Sequence, residues 1–298
     1  MTKQIYSFPF SLLPCRKSGL LTLGPILLLL ASAVSANSDV RIKKNTQAAT
    51  QVTVRLNDAP QGLALRYPAT VRLEQVFQDT LANLNQLPSS AINASLYWSG
   101  ARLWQTSHSA KLEIQQLQLQ VSEQLQSLSR HWQTKYPATS RQLLVMAKAF
   151  AQPIPGQRLV MPLDWDHIRI TPSDNPGLNG SFEIQLLTRP DSVKITGAIP
   201  LNTQTDSAQT GEVRLPWQVR QNATGYLEHT GQLAVAEPDY VWVIQPDGTA
   251  EKHPIAYWNR THRDIAPGAT LFLPFSGLPD ELASLNLHLL DLLKQRPF

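Results

Sequence analysis

Apolar and polar positions alternate twice early in the chain, at Val52-Thr53-Val54-Arg55-Leu56 and at Leu63-Ala64-Leu65-Arg66-Tyr67. A period of two sends successive side chains to opposite faces, so both stretches are expected to be half-buried strands. Asn57 to Gly62 supplies turn residues between them, and Pro68 ends the hairpin. The period then changes: Leu73, Val76, Phe77, Thr80, Leu81 and Leu84 recur every three or four residues, which predicts a helix with one apolar stripe. Leu96-Tyr97-Trp98 and Arg102-Leu103-Trp104 flank Ser99-Gly100 and read as a strand or loop-strand. Hairpin, helix, strand is the opening of a β-grasp unit.

From about residue 109 to residue 150 the pattern is helical throughout. Ile114, Val121 and Leu128 stand seven apart, with Leu117, Leu125 and Trp132 on the same side, in a stretch rich in Gln. Tyr136-Pro137 breaks this helix, and Ser140 is expected to cap a second one carrying Leu143, Ala147 and Phe150 on one face. Pro153 to Gly156 reads as a linker. Arg158 to Asp166, Phe182 to Leu187, Ser192 to Ile199 and Val213 to Val219 are expected strands, with a short helical piece near Gly225-Tyr226-Leu227. Tyr240 to Ile244 meets the turn Pro246-Asp247-Gly248; a further extended run ends at Ala256-Tyr257-Trp258, and Pro267-Gly268 turns into Thr270 to Phe275. Pro279 to Phe298 is expected to be one amphipathic helix, its stripe formed by Leu282, Leu285, Leu289 and Leu292. Asp280 and Glu281 in its first turn and Lys294 and Arg296 in its last complement the helix dipole.

The first 36 residues change what the composition means. Lys3, Arg16 and Lys17 precede an apolar run from Gly19 to Leu30, and Val34-Ser35-Ala36 offers small residues to a peptidase. This is the layout of a signal peptide cleaved after Ala36, with a polar, flexible leader at 37–51 behind it. An uncleaved anchor is the alternative, although the apolar run is short of the ~20 residues that a span needs. Removing the segment lowers the 26 basic residues by three, to 23 against 22 acidic ones. The basic pI is then largely a property of the leader, and a nucleic-acid binder is disfavoured for want of clustered cations. The single cysteine, Cys15, goes with the leader, so the exported chain has no disulfide to staple it and depends on its core.

A set of short motifs resembles the GfcC-like capsule biosynthesis family. They include Trp98-Ser99-Gly100-Ala101-Arg102-Leu103, Gly156-Gln157-Arg158 and Leu163-Asp164-Trp165-Asp166-His167-Ile168-Arg169. Farther on come Pro216-Trp217, Pro246-Asp247-Gly248, Ala256-Tyr257-Trp258-Asn259, Pro267-Gly268-Ala269 and the Leu-rich close on Gln295-Arg296-Pro297. The resemblance implies a periplasmic protein encoded with polysaccharide export genes. It also implies an α+β fold of two β-grasp domains, a helical hairpin inserted in the first and a C-terminal amphipathic helix. The expected divisions are 52–155 for the first domain, with its insertion at about 109–150, 156–278 for the second, and 279–298 for the final helix.

The sequence shows little that looks like reaction machinery. Asp164-Trp165-Asp166 on a strand would put two carboxylates on one face, a geometry for a cation or for a hydrolase pair, but no partner in the sequence supports either. The seven His are scattered without metal-ligand spacing, so no metal or other cofactor is expected. Arg158, at a domain junction after Pro155-Gly156, has a planar guanidinium suited to a sugar carboxylate or phosphate; the plainer reading is a residue that stitches the domains. Trp98 and Trp258 are candidate glycan-stacking residues, with Trp104 and Trp217 also considered; core packing is the plainer reading. The leucines 282, 285, 289 and 292 either pack on the second domain or dock on a partner. The function expected is therefore a non-enzymatic periplasmic accessory protein of capsule or extracellular polysaccharide assembly. Its partners would be polysaccharide, an outer-membrane polysaccharide export protein, or both, with no nucleic acid. A glycan-modifying enzyme using Asp164, Asp166 and Arg158, and a purely structural adaptor of the exporter, are the alternatives.

Overall fold

A computed structural model describes residues 49–87, 96–201, 210–259 and 261–297. The expected signal peptide and most of the leader lie outside the described residues. The chain is mixed α+β, with two five-stranded sheets and six α-helices among the described residues.

The first sheet has the order β2-β1-β7-β4-β5. It is built from β1 (Thr50–Leu56), β2 (Leu63–Tyr67), β4 (Arg102–Gln105), β5 (Gln157–Leu159) and β7 (Gly180–Leu186). The two early alternating stretches do form an antiparallel hairpin, with Val52 opposite Leu65. Strand β1 also pairs in parallel with β7. Val52, Val54 and Leu56 face a core shared with Ile184 and Leu186 and with Leu73, Val76 and Phe77 of α1 (Leu73–Ala82). A two-stranded ribbon joins β3 (Val71–Arg72) to β6 (Gly177–Leu178).

The second sheet, in the order β11-β10-β12-β8-β9, repeats this plan. Its strands are β8 (Ser192–Gly197), β9 (Glu212–Pro216), β10 (Tyr240–Ile244), β11 (Ala250–Pro254) and β12 (Thr270–Leu273). In each sheet a hairpin opens the chain path and a helix follows; here it is α5 (Ala223–Thr230). In each, the last strand returns parallel to the first, β7 beside β1 and β12 beside β8. One difference between the sheets lies in the connection to the last edge strand. Between β10 and β11 the chain makes a tight turn, Gln245 to Thr249; between β4 and β5 it makes two long helices, α2 (His108–Trp132) and α3 (Pro137–Phe150).

Those helices lie between strands of the first sheet in the chain, yet their apolar faces build the second core. Val121, Leu125, Leu128, Leu143 and Phe150 cluster with Val193, Ile195, Val241, Val243, Leu271 and Leu273. Helix α6 (Leu285–Gln295) closes the same core. Burial of apolar surface from three helices on one sheet holds the two halves together without any disulfide.

Several local expectations differ from the structure. The proposed cap Ser140 lies inside α3, which begins at Pro137, a residue whose missing N–H costs nothing in a first turn. Ser140 is buried instead, exchanging hydrogen bonds of 2.8 Å with Ser129 of α2. The strand expected from Arg158 to Asp166 ends at Leu159, and a short helix, α4 (Trp165–Ile170), follows. The tail is not one helix from Pro279: a 3-10 turn at Asp280–Leu282 precedes α6. Strands β5 and β7 lie beyond residue 155, the division expected between the domains, and still belong to the first sheet.

Candidate functional site

Arg158 sits where the two sheets meet, and it is buried. Its backbone N–H donates to Gln295 Oε1 at 2.6 Å, Nη1 to the Lys294 carbonyl at 3.2 Å, and Nη2 to the Pro246 carbonyl at 2.6 Å. The cation thus stands at the C-terminal end of α6, where the helix dipole favours it. It also grips the turn that joins β10 to β11. Trp104 adds an indole N–H to the carbonyl of Gln295 at 3.0 Å. Arg158 thereby joins the halves: Nη1 and Nη2 donate to backbone carbonyls inside the fold, while the buried Nε has no hydrogen-bond partner.

Charge is concentrated around it. Arg102, Lys194 and Glu212 are buried nearby, and Arg296 reaches Glu212 at 2.8 Å. Burial pushes the Arg158 guanidinium down to about 10, opposed by Asp247. Burial likewise pushes the Lys194 ammonium down to about 8, against the pull of Glu212 and with help from Arg102, Arg214 and Arg296. A surplus of cations in a low-dielectric seam costs free energy, and the helix end and the Glu212 carboxylate offset part of it.

The other candidates scatter. Trp98 packs edge-on against Phe77 at 5.3 Å, at the margin of the first core. Trp258 is 75% exposed and Tyr257 beside it 92%, at the end of a turn following β11. Leu285, Leu289 and Leu292 are fully buried and Leu282 nearly so, so the stripe is covered by this chain's own second core; Leu287 is the exposed leucine of α6. Asp164 caps α4, accepting the His167 N–H at 3.0 Å, and Asp166 is an exposed first-turn residue beside Arg169. A cap and an exposed turn position do not form the shared strand face that the D-x-D reading required. Among the described residues, no group of three or more His, Cys, Asp or Glu is placed to hold a metal.

One cleft collects side chains from both halves. Tyr97 and Ser99 of the first meet Trp217, Val219, Asp247 and Ile265 of the second around about 560 Å³. The Trp217 indole N–H donates to the Ile265 carbonyl at 2.8 Å, which fixes the ring, and the Arg189 guanidinium lies 5.1 Å from the ring centre. Burial pushes the Tyr97 phenol up, with Arg189 opposing and Asp247 adding to the shift. The wall formed by Pro246 and Asp247 is the same turn that Arg158 holds. Gly248 completes that turn at φ +95°, and a Cβ there would stand 3.1 Å from the Arg158 guanidinium carbon. Arg158 is therefore a positioning residue for the cleft. Trp217 was legible as one aromatic among several; Tyr97 and Asp247 were not singled out, because only the fold brings them to it.

Residues 48–191 match the family described as Capsule biosynthesis GfcC, N-terminal, and residues 211–297 match Capsule biosynthesis GfcC C-terminal. The chain belongs to the GfcC capsule biosynthesis family. It is also 31% identical over 139 residues to uncharacterized protein YjbG of Escherichia coli K12, a match covering 45% of this chain and 51% of that protein. The chain thus spans about half the length of this relative. Membership points to a role in capsule or polysaccharide assembly, and the two family matches divide the chain much as its two sheets do. No described helix is long and apolar enough to cross a membrane.

Proposed function

We propose that this protein is an exported, non-enzymatic accessory factor of capsule or extracellular polysaccharide assembly that holds a glycan segment in the Tyr97–Trp217 cleft. In this reading both sheets are β-grasp units and α2–α3 is an insertion in the first. The repeated strand order and the long helical connection between β4 and β5 support it. The cleft itself carries the functional reading. An indole, a phenol and a few carboxylates around a shallow apolar patch suit a sugar ring, which offers C–H faces and hydroxyl edges together. Its carboxylates suit holding more than cutting. Asp247 accepts from the Thr249 N–H and hydroxyl, both at 2.8 Å, and Asp264 is an exposed partner of His262 at 3.1 Å. A glycosidase acid needs a desolvated carboxyl facing a second one across the linkage.

Affinity electrophoresis through gels containing the strain's own capsular polysaccharide tests this directly. The wild type is expected to be retarded, with Trp217→Ala and the exposed-wall variant Val219→Asp retarded about tenfold less at equal polymer. The polymer should keep its length after prolonged incubation. Equal retardation of all three proteins would remove the cleft as the glycan site; shortening of the polymer, abolished by Asp247→Asn, would restore the enzyme reading. Docking on an exporter subunit is a second reading, favoured by the exposed Tyr257–Trp258 pair, since the tail leucines are occupied.

A further inference from the structure

Two arginines stand beside the Tyr97–Trp217 cleft without a carboxylate partner. Arg189 belongs to the segment that joins the two sheets, between β7 and β8. The Trp217 backbone N–H donates to the Asp191 carbonyl at 2.7 Å, which ties that segment to the aromatic residue. The Arg189 guanidinium lies over the indole, and its charge reaches the Tyr97 phenol. Arg220 follows Trp217 closely in the chain and lines the cleft itself. Both arginines are exposed, and among the described residues neither makes a hydrogen bond or an ion pair.

The backbone singles out Arg220. Its φ is +60°, in the left-handed region that suits Gly and tolerates Asn, and any other side chain there costs free energy. Asn57 is the other non-Gly residue at positive φ among the described residues. Its side chain accounts for it, since Oδ1 accepts the Thr188 N–H at 3.0 Å. No such bond accounts for Arg220 among the described residues. Its neighbours impose the turn: the Gln218 N–H donates to the Tyr226 hydroxyl at 2.9 Å, the Gln221 N–H donates to the Gln218 carbonyl at 3.3 Å, and Asn222 caps α5. Glycine would make this turn without strain, so what the arginine adds is its side chain at the cleft.

We infer that the glycan segment held in this cleft is acidic, and that Arg220 and Arg189 bind a carboxylate of the sugar. This rests on the reading of the cleft as a glycan site and adds the charge of the guest. The carboxylates of the cleft are already engaged: Asp247 accepts two bonds from Thr249, and Asp264 pairs with His262. The unspent groups are guanidinium N–H donors, which meet a planar carboxylate through two parallel hydrogen bonds. The Arg189 guanidinium is 5.1 Å from the indole centre, so an anion that it binds sits beside whatever stacks there. A uronic acid meets that requirement, because its carboxylate is attached directly to the pyranose ring that would stack. A phosphate borne outside the ring stands farther off. A neutral sugar would leave both guanidiniums without an anionic partner. Both are exposed and screened by solvent, so each contact is expected to contribute about fivefold in affinity.

Affinity electrophoresis tests this with the strain's own capsular polysaccharide, used native and after carbodiimide and borohydride have reduced its carboxyl groups to alcohols. Mobilities are read against a polymer-free gel. The wild type is expected to bind the native polymer about tenfold more tightly than the reduced one. Arg220→Gln and Arg189→Gln should each lose about fivefold on the native polymer and match the wild type on the reduced one. Arg220→Gly relieves the backbone, so it should melt no lower than the wild type and still lose the preference for acid. Equal retardation of the wild type by the two polymers would overturn the inference, and so would an equal loss in Arg220→Gln on both. Retardation that needs Trp217 but ignores carboxyl reduction would sink the acidic guest and leave the cleft as a glycan site. Retardation unchanged in Trp217→Ala would remove the site and the inference with it.

Discussion

Replacing Arg158 with Met separates a residue that positions the cleft from one that touches ligand. The variant keeps much of the side chain's bulk and the backbone N–H donor to Gln295, and removes every side-chain donor. Two carbonyls, of Lys294 and Pro246, lose a charged partner at 3.2 and 2.6 Å. Hydrogen bonds to a charged group are worth about 1.5–3 kcal/mol each, and the long one lies at the low end, so the loss is about 3–5 kcal/mol. Something is returned. A guanidinium held at about 10 instead of its ordinary 12.5 is destabilised in the folded protein by about 3 kcal/mol, a cost that Met does not carry. The two nearly cancel, and the expected net loss is about 0–2 kcal/mol, a fall of at most a few degrees in melting temperature for a chain of this size.

The local effect is expected to be larger than the global one. The Pro246-Asp247-Gly248 turn loses its tether to α6, so amides of the turn and of Gln295 should exchange with solvent more than tenfold faster while the sheet amides hardly change. Hydrogen exchange read by mass spectrometry checks this, together with glycan affinity on the same variant. Weakened glycan binding with a loosened turn fits a positioning role. Lost binding with turn exchange unchanged would refute the reasoning and make Arg158 a direct contact. A fall in stability above about 4 kcal/mol would show that the cation surplus in the seam costs much less than argued.

Three further outcomes follow from the same structure. The Lys194 ammonium at about 8 in the fold and near 10.5 in the unfolded chain means that the unfolded state binds more protons between those values. Stability should therefore rise with pH there, by about 2 kcal/mol from pH 7.5 to 9.5, and Lys194→Met should flatten the change; urea midpoints at the two pH values measure it. His253, buried and held below its ordinary value mainly by desolvation, acts at the other end: stability should decline as pH drops below about 6.5, less so in His253→Gln. Ending the chain at Leu278 removes five buried leucines of α6, each worth about 1.5–3 kcal/mol, so the truncated protein should fail to show a cooperative melt by circular dichroism. A folded truncation would mean that the second core does not need the helix.

How much of this was legible in the sequence depends on how local the cause is. Val52-Thr53-Val54-Arg55-Leu56 showed a strand because alternation is written residue by residue, and Ile114, Val121 and Leu128 showed a helix for the same reason. Partner choice is not local. The tail leucines displayed a face that something must cover, but amphipathicity cannot distinguish a partner's groove from the chain's own second core. Asp164 was misjudged through its neighbours: period two across Asp164-Trp165-Asp166 suggested a strand, whereas capping preference for Asp ahead of a short helical run decided the outcome. Arg158 illustrates the limit most sharply. Its type and its place after Pro155-Gly156 announced a junction, but the carbonyls it binds lie 88 and 136 residues away in the chain. Two nitrogens of a guanidinium that looks free in sequence are bound to them, and through Pro246 the residue holds in place the turn that forms one wall of the cleft.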